Sequence, residues 1–206
     1  MARKTKEEAL ATRGQLLDAA ARLFCEQGVS STSLHEIAEA AGLTRGAVYW
    51  HFDNKGDLLM ALWERVALPM QQAFDEVARE QANNPLQRIR SKACWIAEHI
   101  EHDEPIRRLM TIMMLRCEFT QELESTREHF LRVREDCLTQ MRSEIQLAMD
   151  VGQLTPTLSV EQIAIGLFGL VDGLCFHWLI SPTRFQIANV TRLSVEAYLA
   201  GLNGKA

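Results

Sequence analysis

The apolar residues of this chain recur at three- and four-residue spacing from one end to the other, and nowhere do they alternate over a run bounded by turn residues. That pattern returns side chains to one helical face and predicts an all-α fold. Thr5 with Glu8 forms a capping-box pattern, after which Leu16, Leu17, Ala20, Leu23 and Phe24 make a stripe that ends at Gly28. Ser33 with Glu36 repeats the box, Leu34, Ile37, Ala38 and Ala41 face inward, and Gly42 stops the second helix. Thr44 caps a third short helix running to about His51. A fourth starts near Lys55 with Leu58, Leu59, Leu62 and Val66 on one side, and Pro69 should kink or divide it. Longer helices are expected over about 85–101, 105–117, 121–151, 159–181 and 186–203, giving about nine in total. No repeat or low-complexity linker interrupts them, so two modules, 1–60 and 61–206, are expected to share the fourth helix as a rigid joint.

Two short helices separated by Gly42 and Leu43 have the dimensions of a helix-turn-helix, with its core motif over 33–52. Val48 and Phe52, one turn apart, can dock the second member on the module core, which frees its other positions to face outward. Thr44 and the backbone N–H groups there suit a phosphate oxygen, and Arg45 can reach the edge of a guanine. Gly46 lets the helix approach DNA closely. Tyr49 and His51 can donate to phosphates, as can Lys55 at the start of the next helix. Thr32 and Ser33 could hold the opposite wall of the groove, while Arg3, Lys4 and Lys6 could follow the backbone or enter the minor groove. Trp50 is a further candidate contact, although Trp50 and Phe52 also read as core residues of a plain all-α module.

The net charge of −5 weighs against nucleic acid until it is divided by position. Residues 1–55 hold seven Lys/Arg and seven Asp/Glu, so the whole excess of acid lies beyond them. No stretch approaches an uninterrupted apolar membrane span, since the nearest, 163–180, carries Asp172, His177 and three glycines. The basic N-terminus is followed by no apolar run, and a cytoplasmic protein that does not enter a membrane is expected. The five cysteines have neither disulfide nor zinc spacing and read as buried thiols. His99 and His102 beside Glu98, Asp103 and Glu104 could ligate a metal, but a solvated helix end explains them as well. No nucleophile-and-base pattern or glycine-rich phosphate loop is visible, so neither an enzyme nor a cofactor is expected.

Residues 10–60 resemble the DNA-binding domain of the TetR family of regulators, in which a three-helix head ends in a run very like Thr44-Arg45-Gly46-Ala47-Val48-Tyr49-Trp50-His51-Phe52. The similarity extends through residues 1–9 and 28–34, then continues in fragments such as Cys117-Glu118-Phe119 and Val171-Asp172-Gly173-Leu174. It points to the acriflavine-resistance (AcrR-like) branch, the repressors of multidrug efflux pumps. The resemblance implies a ligand-responsive repressor that binds double-stranded operator DNA and is released by a hydrophobic or amphipathic inducer. It also implies a homodimer joined through the last two helices. An all-α carrier or sensor that never touches DNA is the alternative, and an enzyme using Cys137 or His99 is a more distant one.

In the larger module Met110, Met113 and Met114 lie within one short segment, and flexible thioethers suit a pocket that repacks around different molecules. A methionine-packed core would look the same. Asp172 is the only formally charged residue between Glu161 and Arg184. A structural hydrogen bond, a salt bridge to another helix, or an anchor in a ligand pocket would each account for it, and the resemblance favours the anchor. Helical face and position in the family add Val66, Met70, Ile96, His99, Cys137, Met141, Phe168 and Phe176 as neighbours, each equally explicable as core. Gly166, Gly169 and Gly173 form a smooth strip for close helix packing, within one chain or between two.

Overall fold

The computed structural model describes residues 6–203 and, among them, contains nine α-helices and no strand. These are α1 (Lys6–Gln27), α2 (Leu34–Ala40), α3 (Arg45–His51), α4 (Lys55–Glu80), α5 (Pro85–Ile100), α6 (Glu104–Thr111), α7 (Glu124–Asp150), α8 (Val160–Ile180) and α9 (Ile187–Leu202). Thr5, Arg3 and Lys4 lie outside the described residues. The chain forms two units, one of Met1–Ala67 with Arg108–Phe130 and the other of Leu68–Arg107 with Leu131–Ala206.

In the first unit, Leu16, Ala20, Phe24, Ile37, Ala38, Val48, Leu58 and Leu59 are fully enclosed and form the core of a small helical head. Gly28 ends α1 with φ of 87° and Gly42 follows α2 with φ of 68°, left-handed conformations that a side chain would strain. The segment Arg108–Phe130, assigned by sequence to the larger module, joins this head. Val29 N–H donates to the Arg116 carbonyl at 3.0 Å, and the Trp63 and Phe130 rings meet edge-on at 4.9 Å. Two features of this segment differ from the expected plain helices. The helix expected over 105–117 changes to a π-helical turn at Ile112–Arg116, and a 3-10 turn, Gln121–Leu123, precedes α7. Pro69 does not divide α4, which continues through it.

The second unit packs α5, α8 and α9 together, and Ile89, Ala97 and Ile100 of α5, Ile163, Leu167 and Cys175 of α8 and Ile187, Val195 and Leu199 of α9 are all buried. Tyr198 lies so close to Gly166 that a Cβ there would collide with its hydroxyl, which donates to the Ile163 carbonyl at 3.1 Å. Gly166 is therefore used within the chain, whereas Gly169 and Gly173 have open space where a side chain would stand. Glu144 of α7 is enclosed by Arg88, whose Nε donates to it at 2.7 Å, and by Lys92 at 3.2 Å. Arg88 also closes the turn before α5 by donating to the carbonyls of Gln81 and Ala82.

Helix α8 corrects the expectation that no stretch suffices for a membrane span. With 21 residues and a mean hydropathy of 1.9 it is long and apolar enough by composition, because Asp172, His177 and the glycines barely dilute its aliphatic residues. Only 33% of that apolar window is buried. Ile165, Phe176 and Ile180 are exposed on it, at spacings that place them on one face with Gly169.

Candidate nucleic-acid interface and ligand residues

The reading head is built by its caps. The Ser33 hydroxyl accepts from Glu36 N–H at 3.2 Å and donates to the Glu36 carboxylate at 2.7 Å, while that carboxylate accepts from Ser33 N–H at 2.8 Å. These bonds, the side-chain one foremost, hold the Glu36 carboxyl below its ordinary pKa. The Leu43 N–H then donates to the Ala38 carbonyl, which turns the chain into α3. Thr44 caps α3 by accepting from Ala47 N–H at 3.3 Å.

Helix α3 is pinned by Val48 and Phe52, both buried as expected. Thr44, Arg45, Gly46, Tyr49 and Trp50 all stand exposed along its other side. Trp50 is 71% exposed, which overturns its reading as a core residue. With Val48 and Phe52 filling the inward positions, the helix turns Trp50 to solvent, where its ring meets His51 edge-on at 4.4 Å. The Arg45 guanidinium rests over the Tyr49 ring, 5.4 Å from its centroid, so its direction is already biased before any partner arrives. Lys6 is exposed on α1.

Two expected groove contacts are engaged elsewhere. Thr32 is 2% exposed, with its hydroxyl donating to the Gly28 carbonyl at 2.7 Å and accepting from Gln27. Lys55 turns inward, donating to the Val29 and Ser30 carbonyls at 3.1 and 3.3 Å and pairing with Glu122 at 3.5 Å. In the protein without DNA both side chains are held in these bonds.

The ligand candidates are divided between the units. Val66, Met110, Met113 and Met114 belong to the first; Met70, Ile96, His99, Cys137, Met141, Phe168, Asp172 and Phe176 belong to the second. Val66 and Met141 are buried and Phe176 is exposed. Asp172 forms a salt bridge with Arg134 at 2.6 Å, and the same guanidinium lies over Phe168, 5.7 Å from the ring centroid. Of the three readings of Asp172, the interhelical salt bridge is the one present. His99 stacks on Trp95 at 4.2 Å, with its Nδ1–H donating to the Trp95 carbonyl, and Phe74 meets the other ring at 5.9 Å. Trp95 was findable, being one helical turn before His99. Arg134 was not, since it is 38 residues from Asp172 on a helix rich in charge.

Burial pushes the thiols of Cys94 and Cys117 up to about 11 and that of Cys175 to about 12, and Cys137 is raised for the same reason. They stay protonated at neutral pH and are poor nucleophiles. Among the described residues no group of three or more His, Cys, Asp or Glu could hold a metal ion.

Residues 16–62 match the profile of bacterial regulatory proteins of the tetR family, and residues 84–203 match the C-terminal region of MAATS-type transcriptional repressors. The chain is 36% identical over 203 residues to the HTH-type transcriptional regulator AcrR of Shigella flexneri, spanning 97% of this chain and 94% of that protein. It is 37% identical over 191 residues to the regulator TtgR of Pseudomonas putida, covering 91% and 89% of the two. Among solved structures, NalD, the secondary repressor of the MexAB-OprM multidrug efflux pump in Pseudomonas aeruginosa, superposes with a TM-score of 0.83 at 34% identity, covering 95% of this chain and 98% of that one. SmeT in complex with triclosan superposes with a TM-score of 0.80 at 32% identity, covering 95% and 93%.

Proposed function

Because this chain belongs to the TetR family of bacterial regulatory proteins and resembles its AcrR- and TtgR-like members, we propose that it is a cytoplasmic homodimer repressing a multidrug efflux operon. The observation that carries the DNA-binding part is the exposed side of α3, where Thr44, Arg45, Tyr49 and Trp50 stand clear of a helix anchored by Val48 and Phe52. Arg45 reads a base edge, and Ser33, Thr44, Gly46, Tyr49, Trp50, His51, Lys4 and Lys6 contact or approach the backbone. Two such helices fit successive major grooves if their spacing is about 34–36 Å.

The exposed apolar face of α8, together with exposed Leu193 on α9, supports a dimer seam between the last two helices of each copy. An apolar inducer would be held among Met70, Ile96, His99, Cys137, Met141, Phe168 and Asp172 of the second unit, with the Trp95–His99 stack and Phe168 offering flat surfaces, whereas Phe176 stands on the seam face. Release of DNA requires the inducer to prefer one conformation, and a coupling of about 1–3 kcal/mol would suffice for a working switch. Helix α4, unbroken from Lys55 to Glu80, is the proposed lever.

The test is fluorescence anisotropy of a labelled fragment from the region upstream of the gene, titrated with the protein across salt concentrations and then with triclosan, the molecule held in the SmeT complex. Sequence-selective binding that weakens with salt and is reversed by triclosan is expected. No retention of the fragment at low salt would overturn the DNA-binding reading and leave a carrier. Retention that triclosan does not reverse would overturn the choice of inducer.

A further inference from the structure

Glu144 of α7 is a buried carboxylate met by two cations of α5, Arg88 and Lys92. Arg88 alone is enough to neutralise it. Its Nε and one terminal nitrogen both lie 2.7 Å from Glu144 Oε2, and its other terminal nitrogen donates to the Gln81 and Ala82 carbonyls. Lys92 is placed differently. Its ammonium donates to Glu144 Oε1 at 3.2 Å and faces the Phe74 ring, 6.0 Å from the centroid. Among the described residues Glu144 is its one hydrogen-bond acceptor, although an ammonium carries three N–H donors. The Lys92 side chain is only 12% exposed. Arg88, Lys92 and Glu144 together therefore leave a positive charge over in an enclosed place, which is costly unless a partner meets it.

That spare charge stands at the head of the residues proposed to hold the inducer. Lys92, Ile96 and His99 are spaced by four and three residues and so share one face of α5. Glu144, Met141 and Cys137 share one face of α7 in the same way, and Met70 and Phe74 lie one turn apart on α4. The Lys92–Glu144 bond joins the first two faces, and the contacts of Phe74 with Lys92 and Trp95 bring in the third. All three belong to the second unit. The Cys137 thiol, raised first by burial and then by Asp136, is lowered in part by Arg134 and Lys92, which puts the ammonium within electrostatic reach of the α7 row. Arg134 is already matched by Asp172 at 2.6 Å. Apolar walls with one unmatched cation suit an apolar body that carries a single anionic oxygen group.

We infer that Lys92 recognises the anionic head of the inducer, so that the ligands of this chain are apolar acids (carboxylates, sulfonates or phenolates) and not apolar cations. The inference rests on the ligand site proposed above. The ammonium keeps its bond to Glu144 and offers its remaining N–H donors to the ligand oxygen, while Phe74 and the Ile96–His99 row take the apolar body. If Lys92 served only to hold Glu144, it would favour no ligand charge, and its removal would change the binding of acidic and neutral ligands alike.

The experiment uses the full chain and two fluorescent probes that differ by one group: anilinonaphthalenesulfonate, an apolar acid, and phenylnaphthylamine, the same ring system without the sulfonate. Both are titrated at neutral pH and fixed ionic strength, and the readout is the ratio of the two affinities. In Lys92→Met this ratio is expected to fall by about tenfold or more against the acid, as loss of a hydrogen bond to a charged group implies, with the neutral dye bound as before. Lys92→Gln, which can keep a bond to Glu144, should show the same fall and carries the test if Lys92→Met fails to fold. Lys92→Arg should retain most of the wild-type ratio. An unchanged ratio in the folded neutral variants would overturn the inference, whether both affinities hold or both drop together. A wild type that takes up the neutral dye but not the acid would also overturn it while leaving the site standing. Binding of neither dye would instead remove the ligand site, and the assignment of Lys92 with it.

Discussion

Arg45 begins α3 with its guanidinium laid over Tyr49, and it is the exposed group there best suited to bidentate contact with a guanine. Arg45→Ala is expected to lose about 1–3 kcal/mol of preference for the selected sequence over a scrambled one, measured by competition anisotropy. An equal loss on both sequences would assign Arg45 to the backbone instead. The identity of such residues was legible in the run Thr44 to Phe52, but their orientation was only partly so. Val48 and Phe52 dock as their one-turn spacing predicts. Trp50 faces solvent because those two residues already fill the inward side. Thr32, Lys55 and Asp172 are decided by partners distant in sequence or by local turns, and no periodicity reports whether a polar side chain turns to water or to a carbonyl.

At the scale of elements, caps and stops were the most readable features, because each acts within a few residues. The capping box of Ser33 and Glu36 and the left-handed Gly42 appear where the pattern puts them. The π-helical turn at Ile112–Arg116 was not readable, since it depends on where the segment meets α1 and the Val29 amide. Ser33→Ala should cost about 0.5–2 kcal/mol in thermal or denaturant unfolding, as loss of an N-cap does. The Glu36 carboxyl has its pKa lowered on folding by Ser33, so the unfolded chain binds the proton more readily. That contribution is present above the ordinary carboxylate range and is lost as pH falls through the lowered value. The stability difference between wild type and Ser33→Ala should therefore narrow on acidification, and a difference that widened would contradict the assigned cap.

For the whole molecule, the division of labour follows the charge: the balanced first 55 residues hold the exposed reading face, and the acidic excess lies in the remainder. The sequence outlines these two modules but not the return of Arg108–Phe130 to the head, a contact between segments far apart in the chain. We propose that two copies of α3, set about one DNA turn apart by a dimer, read one operator. Hydroxyl-radical footprinting of the protein on the region upstream of its gene tests this arrangement. Two protected patches related by a dyad and centred about 34–36 Å apart are predicted, both fading when the inducer is added. A single patch, or two without dyad symmetry, would contradict it.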